Sequence, residues 1–231
     1  MEQQRSFARL AIAITASLSL IAGCNSTDAA APLVAAAISA VQGSNAQIGT
    51  VGQPLANPVT VKVLAANGSP VAGVMVSWSI ESGAGSISIT SSSTDSLGIA
   101  AVSWTLGTVA GTDSLMASVS GLTPIVLSAT ANAGAVVALV KVSGDAQVVA
   151  TGSSAQPFVV KAVDAYGNAV AGVTVSWIPD SSGTLSVNTT VTGSDGLAQD
   201  TLVADQATTY QVMAELQSNA TIETTFTGTE N

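Results

Sequence analysis

The stretch Val71-Ala-Gly-Val-Met-Val-Ser-Trp78 returns ninety-nine residues later as Val170-Ala-Gly-Val-Thr-Val-Ser-Trp177. After the Gly of each copy, alternate positions hold Val, Val and Trp, with Ser between the last two. A period of two is typical of a strand that buries one face. The Gly marks the turn that leads into the strand. The chain is therefore predicted to be a tandem repeat in which both copies start a strand at the same place.

Residues 1–23 are predicted to be an export signal that ends before Cys24. Arg5 and Arg9 precede the apolar run Leu10–Ala22, and the small residues of Ile21-Ala-Gly-Cys24 close it, an order typical of a secretory signal peptide. The last four residues resemble the lipobox of bacterial lipoproteins. That resemblance implies cleavage before Cys24 and acylation of its thiol, for example with palmitate. Two alternatives are a buried Cys24 in an ordinary helix and a transmembrane anchor, although the run is shorter than the ~18 residues that an anchor requires.

Charge and cysteine content limit the partners of the mature chain. Cys24 is the only cysteine, so an intramolecular disulfide is excluded and stability must come from packing. From Cys24 onward, thirteen acidic residues stand against three lysines, a formal charge of −10. Nucleic acid and anionic lipid headgroups bind basic surfaces. The composition therefore argues against both as partners.

The remaining chain is predicted to contain two domains of similar length. Residues 24–37 form a lipidated tether, Ile38–Asn132 the first domain, Ala133–Val136 a linker and Val137–Asn231 the second domain. Because the linker has four residues, relative motion of the domains should be restricted compared with a long flexible tether.

Each domain holds seven short predicted strands, punctuated by Gly, Asn, Asp and Pro and without helical periodicity. In the first domain they are Ile38–Gln42, Val59–Leu64, Val74–Ile80, Ser86–Ile89, Ile99–Trp104, Ser114–Val119 and Ile125–Thr130. In the second they are Leu139–Val142, Phe158–Val163, Val173–Ile178, Thr184–Val187, Leu197–Val203, Tyr210–Leu216 and Thr221–Thr227. This pattern predicts an all-β chain of two β-sandwiches.

Several motifs of the first repeat resemble the bacterial Ig-like domain of group 1, known from intimin and invasin. They are Gly68-Ser-Pro-Val-Ala-Gly-Val74, Ser77-Trp78, Thr94-Asp95, Gly98-Ile-Ala100 and Trp104-Thr-Leu-Gly107. The second repeat matches through Asp164-Ala-Tyr-Gly-Asn-Ala-Val-Ala-Gly-Val173 and Trp177, then departs with Leu202-Val-Ala-Asp205. The resemblance implies two tandem Ig-like sandwiches. It does not fix a ligand, because such domains serve as spacers and as adhesive tips.

Catalytic and zinc-binding constellations have few candidate residues here. The chain contains no His, so a Ser-His-Asp triad, a Cys-His pair and a His-containing zinc site are excluded. Asp195, Asp200 and Asp205 are predicted to be solvated loop and edge charges, with paired-carboxylate catalysis as the alternative. No cofactor and no enzymatic activity are predicted.

Two binding hypotheses depend on turn residues and aromatic rings. Calcium could bind oxygen atoms near predicted turns, and the candidate ligands are Asp145, Asp164, Asn168, Asp180 and Asp195. Asp and Asn also occur at turns because their side chains bind nearby backbone. The parity of Trp78, Trp104, Trp177 and Tyr210 predicts core positions rather than a sugar-stacking surface. Tyr166 is predicted to cap the 164–168 turn.

The sequence predicts a membrane-anchored bacterial surface lipoprotein whose Ig-like modules act as an adhesive or spacer element. A carbohydrate- or calcium-binding periplasmic or surface module is the alternative. The expected partners are the membrane, through the lipid on Cys24, and proteins or glycans at the cell surface. Asn25 follows the cysteine; in the enterobacterial sorting rule an Asp there favours inner-membrane retention, so the resemblance favours the outer membrane.

Overall fold

The structure is a computed structural model that describes residues 32–180, 183–205 and 209–231. Cys24, the predicted signal peptide and most of the predicted tether lie outside these residues. None of the described residues belongs to a helix long and apolar enough to cross a membrane. The first strand begins at Ala35, three residues before the predicted start of the first domain.

Each repeat contains ten strands in its described residues. In the first they are β1 (Ala35–Ala40), β2 (Gln47–Thr50), β3 (Val59–Ala65), β4 (Met75–Ser82), β5 (Ser86–Ile87), β6 (Ser91–Ser93), β7 (Ile99–Val102), β8 (Trp104–Thr105), β9 (Gly111–Ser118) and β10 (Ile125–Asn132). In the second they are β11 (Ala138–Ser143), β12 (Gln147–Val149), β13 (Phe158–Val163), β14 (Thr174–Pro179), β15 (Thr184–Leu185), β16 (Thr189–Val191), β17 (Leu197–Asp200), β18 (Leu202–Val203), β19 (Thr209–Leu216) and β20 (Asn219–Glu230).

The two repeats have the same sheet topology. In the first, a three-stranded sheet of order β1-β3-β7 faces a five-stranded sheet of order β2-β10-β9-β4-β6, and β5 pairs with β8. The second repeats this as β11-β13-β17, β12-β20-β19-β14-β16 and β15-β18. All pairs are antiparallel except β2 with β10 and β12 with β20, which are parallel. The chain is therefore all-β, as predicted.

The prediction of seven strands per domain was wrong in two respects. It missed the short strands β2, β6, β12 and β16. It also merged Ile99–Trp104 and Leu197–Val203 into single strands, whereas each divides between two sheets. The first division falls at Ser103, where β7 leaves the three-stranded sheet and β8 pairs with β5. The second falls at Thr201.

Each sandwich has its own hydrophobic core, formed by the alternate residues that face inward. The side chains of Trp78, Trp104 and Trp177 are all buried. The indole N–H of Trp78 donates to Ser92 Oγ at 2.9 Å, and that of Trp177 donates to Thr190 Oγ1 at 2.8 Å. The bond of Trp78 thus holds the edge strand β6 against β4, and that of Trp177 holds the edge strand β16 against β14.

The second core is built from different residues at matching positions. The strand registers place Leu202 where the first repeat has Trp104, and Phe158 and Phe226 where it has Val59 and Leu127. The Phe158 ring centroid lies 5.2 Å from that of Phe226. Phe226 also lies against Trp177, with 6.3 Å between ring centroids, so aromatic rings pack together in the second core.

Tyr210 takes the position of Asp113 in the first domain, and this exchange depends on a glycine. Its cross-strand partner is Gly228, where the first repeat has Ala129. A Cβ at residue 228 would lie 2.2 Å from the Tyr210 hydroxyl oxygen. Burial raises the pKa of the Tyr210 hydroxyl, so the ring stays neutral in the core.

Candidate functional site

The described residues offer no constellation for catalysis by metal or by nucleophile. Among them, no three His, Cys, Asp or Glu side chains lie close enough to hold one metal ion. An open groove over β12, β19 and β20 is lined by backbone and by uncharged side chains such as Gln147, Val148, Gln211 and Thr227. Neither feature places an acid beside a base or a nucleophile.

The carboxylates of Asp195, Asp200 and Asp205 do not form a shared site. Asp195 and Asp205 are exposed, as predicted for solvated charges. Asp200 is 3% exposed, so its assignment as a solvated charge was wrong. It lies on the inner face at the position of Val102 in the first repeat.

The buried Asp200 carboxylate organises the chain where it crosses between sheets. Its Oδ1 accepts hydrogen bonds from Thr201 N at 2.7 Å, from Val187 N at 3.2 Å and from the Ser186 hydroxyl. These donors belong to the β15–β16 loop and to the β17–β18 crossover. The role of Asp200 in the described structure is thus to close this end of the sandwich.

The five candidate calcium ligands lie apart, with one exception. Asp180 and Asp195 bind nearby backbone N–H groups, those of Gln211 and Leu197. The Lys141 ammonium, which donates to Asp145 Oδ2 at 2.6 Å, lowers the pKa of the Asp145 carboxyl, as does the Thr227 N–H. The structure brings together Asp164 and Asn168, which face the junction between the sandwiches.

Asp164 organises the turn between β13 and β14. Its Oδ1 accepts the N–H groups of Tyr166 and Asn168, both at 2.9 Å. Its Oδ2 accepts the N–H of Gly134, in the predicted linker, at 2.9 Å. The carboxylate is 3% exposed. It therefore fixes the turn and ties that turn to the segment that joins the two repeats.

Hydrogen bonds determine the protonation state of Asp164. Burial raises the pKa of this carboxyl, but the Asn168 side chain and the N–H groups of Gly134, Asn168 and Tyr166 outweigh it and lower the pKa to about 2. The group is consequently charged at any pH above mildly acidic values, and the turn retains its strongest acceptor.

Asn168 extends the turn across the junction. Its Nδ2 donates to Thr108 O at 2.9 Å and to Asp164 Oδ2 at 2.9 Å, while its Oδ1 accepts the N–H of Ala110 at 2.9 Å. Thr108 and Ala110 belong to the β8–β9 loop of the first repeat. One amide side chain thus joins the two sandwiches through both its donor and its acceptor.

Tyr166 completes the contact from the tip of the same turn. A Cβ at Gly52, in the loop after β2, would lie 2.5 Å from the Tyr166 hydroxyl oxygen. Gly52 has a φ of +68°, so its missing side chain permits both the turn and the approach of the ring. Tyr166 remains 53% exposed. Its predicted role as a cap of its own turn was therefore incomplete, because its hydroxyl contacts the first repeat.

The sequence predicts the turn 164–168 of the second repeat but not the first-repeat residues that this turn contacts. The stretch Asp164-Ala-Tyr-Gly-Asn168 was recognised as a turn from its composition. Gly52, Thr108 and Ala110 carry no side-chain signal, since they contribute backbone groups or open space. The matching turn of the first repeat has Ala65, Asn67 and Ser69 in place of Asp164, Tyr166 and Asn168. This difference in sequence was the signal that could have identified the junction.

The model of the bacterial Ig-like domain (group 1) matches residues 38–134 and 139–227. The chain belongs to this family. The two matches correspond to the two sandwiches and confirm the resemblance drawn from the motifs around Trp78 and Trp177. The tandem Ig-like fold is confirmed as well.

Solved structures of related architecture agree with this fold. FdeC, an adhesin of Escherichia coli, is 19% identical with a TM-score of 0.51, over 86% of this chain and 66% of that one. InvD of Yersinia pseudotuberculosis is 21% identical with a TM-score of 0.50, over 84% and 57%. The chain thus spans somewhat less than two thirds of each of these two structures, and the likeness concerns the Ig-like fold.

Proposed function

We propose that the protein is a lipid-anchored component of the bacterial cell envelope that displays two Ig-like domains as a spacer or adhesive element, without enzymatic activity. The observation that carries this proposal is the order of features along the chain. A basic, then apolar, segment ends at the only cysteine, Cys24, and the described chain after it consists of group 1 Ig-like domains. Such an order suits a module held at a surface.

Charge favours the second domain as the contact surface. The second domain carries nine acidic residues and two lysines, a formal charge of −7, whereas the first carries three acids and one lysine, a charge of −2. A basic protein surface is the complementary partner. The same charge also keeps the domain soluble. Exposed sheet edges add a second route, because a partner strand can pair with their backbone groups.

Carbohydrate or calcium binding has less support. Among the described aromatic residues, Tyr166 alone is exposed, and its hydroxyl lies against Gly52. The candidate calcium ligands bind backbone, each other or, for Asp145, the Lys141 ammonium, at separate places. Neither observation favours the alternative module over the spacer or adhesive element.

Anchoring and display are tested together in cells. Acyl chains bind a bilayer by about 0.8 kcal/mol per buried CH₂, so the natural chain should sediment with membranes, while Cys24→Ser should give a soluble or uncleaved product. Protease added to intact cells should remove a surface-displayed protein. Recovery of the natural chain wholly in the soluble fraction would refute the anchor, and full resistance on intact but not on lysed cells would place it in the periplasm.

Charge-dependent contact is tested with the purified full chain. The variant Asp205→Asn/Glu223→Gln removes exposed charges of the second domain, and Glu81→Gln removes one from the first. Binding to cells, extracellular matrix or a basic protein should be weaker in the former variant than in the natural chain. Added salt should weaken the binding of the natural chain, because it screens exposed charges. Equal weakening by Glu81→Gln would refute a second-domain contact, and no binding by any variant would favour the spacer function.

A further inference from the structure

We infer that the turn 164–168 is a lock that holds the two Ig-like domains in one relative orientation, so that they move as a single body. The lock consists of Asp164, Tyr166 and Asn168, together with the first-domain groups that they contact. This inference concerns the mechanics of the described chain and does not depend on lipid anchoring or on any ligand.

Direct hydrogen bonds resist both bending and twisting at the junction. Asn168 binds Thr108 O and Ala110 N through two different atoms, each at 2.9 Å. Two bonds from one planar amide fix the direction of approach as well as the distance. Asp164 adds a third bond, from Gly134 N at 2.9 Å. Since Asp164 also binds the Asn168 side chain, the bonds form one connected network.

The matching turn of the first domain provides an internal reference. Its backbone has the same form: Ala65 N donates to Ser69 O as Asp164 N donates to Asn168 O. The side chains that form the lock are absent there, because Ala65 and Ser69 replace Asp164 and Asn168. Asn67, in place of Tyr166, accepts the Ser69 N–H within the turn. The fold therefore does not require the lock residues, and their presence in the second domain points to the contact that they make.

The first domain is shaped to receive the turn. Gly52 leaves open the space that the Tyr166 hydroxyl occupies, and a Cβ there would overlap it. Gly134 carries the N–H that Asp164 binds. It also lies beside Thr50, since a Cβ added at Gly134 would be 3.9 Å from Thr50 Cγ2. Glycine at positions 52 and 134 would favour a flexible chain if nothing packed against it. Gly52 is packed against Tyr166, and Gly134 is held by its bond to Asp164, so the four-residue linker that contains Gly134 is not a free hinge.

The lock is tested by measuring the spread of distances between two spin labels on the full chain. Ala101→Cys and Gln199→Cys place labels on exposed, equivalent positions of β7 and β17, in a Cys24→Ser background where no other thiol exists. The intact lock should give a narrow, single distance distribution. Asn168→Ala, which removes both bonds to the first domain, should broaden it at least twofold, and Gly52→Val should do the same by displacing Tyr166.

Controls separate loss of the lock from loss of folding. Ser69→Ala changes the equivalent residue of the first domain and should leave the distribution narrow. Far-ultraviolet circular dichroism of Asn168→Ala should match that of the natural chain, because the turn keeps its backbone bonds and Asp164. A broad distribution in the natural chain, or a narrow one in a folded Asn168→Ala, would overturn the inference. Neither result bears on anchoring, which the cell fractionation tests.

Discussion

At the scale of single residues, Asp164 combines burial with acceptance of several hydrogen bonds, and both of its oxygens can accept them fully only while the carboxylate is charged. The folded-state pKa of about 2 lies below the ordinary value of 3.8. A carboxyl with a lowered pKa contributes stability that is full above its unfolded pKa and is lost as pH falls through the folded pKa. The contribution of Asp164 should thus fade between about pH 4 and pH 2.

Asp164→Asn tests this contribution. An amide keeps the size of the carboxyl but replaces one acceptor with a donor that faces other N–H groups. At pH 7 the free energy of unfolding of the second domain should fall by about 1–2 kcal/mol, measured by urea denaturation. The difference from the natural chain should shrink as pH falls from about 4 to 2. Asp205→Asn, at an exposed position, should change little at any pH, and a pH-independent loss in Asp164→Asn would contradict the electrostatic explanation.

At the scale of elements, a buried threonine closes the turn that opens the repeated strand. Thr94 Oγ1 donates to Val71 O at 2.7 Å and accepts the N–H of Val74 at 2.9 Å. Thr192 does the same in the second domain, with Val170 O at 2.8 Å and Val173 N at 3.1 Å. The Val-Ala-Gly-Val turn therefore depends on a hydroxyl about twenty residues away.

Thr94→Val keeps the shape and removes the hydroxyl, which leaves two backbone groups of the turn unpaired. The first domain should lose about 1–3 kcal/mol of unfolding free energy, and Thr192→Val should cost the second domain a similar amount. Denaturation curves of the two variants give the comparison. Thr123→Val, in the exposed β9–β10 turn, serves as the control. A stability equal to that of the natural chain in both buried variants would refute the role of the hydroxyl.

The strand and turn pattern could be predicted from the sequence where one face is buried, as in Val74–Ile80 and Phe158–Val163. The short strands β2 and β12 could not, because they pair with the last strand of the domain, some eighty residues later, and their own alternation is brief. The division at Ser103 was hidden because Ile99–Trp104 keeps a regular parity across the crossover. The turn at 164–168 was predictable, but its contacts were not, since its partners are backbone groups.

Gly228 and Tyr210 are cross-strand partners on the neighbouring strands β20 and β19, and the absence of a side chain at Gly228 leaves room for the Tyr210 ring. Gly228→Ala would place a Cβ 2.2 Å from the Tyr210 hydroxyl oxygen, and overpacking of this kind costs about 1–3 kcal/mol. The same change combined with Tyr210→Val should cost less than the sum of the two single changes, because the ring that clashes is gone. A double-mutant cycle from urea denaturation measures this, and simple additivity would show that the two residues do not compete for space.

At the scale of the whole molecule, two separate cores meet through a polar junction. Trp78→Ala and Trp177→Ala should each lower the stability of their own domain by about 3–5 kcal/mol. The other domain should lose at most the contribution of the junction bonds, because no core residue is shared. Hydrogen exchange read by mass spectrometry reports on each domain separately. Equal loss of protection in both domains would require the cores to unfold as one.

The parallel pairing of β2 with β10 determines how a pulled chain would yield. β2 lies near the start of the first domain and β10 at its end, so a force that draws the ends apart slides the two strands along each other. Their backbone bonds are then loaded together, in shear, rather than opened one at a time. β2 forms four residue pairs with β10, and the three pairs of β12 with β20 are extended by two bonds of Asn231, whose N–H donates to Val149 O and whose carbonyl accepts the Thr151 N–H. A force applied across the ends of either domain would therefore meet the same parallel pairing in shear.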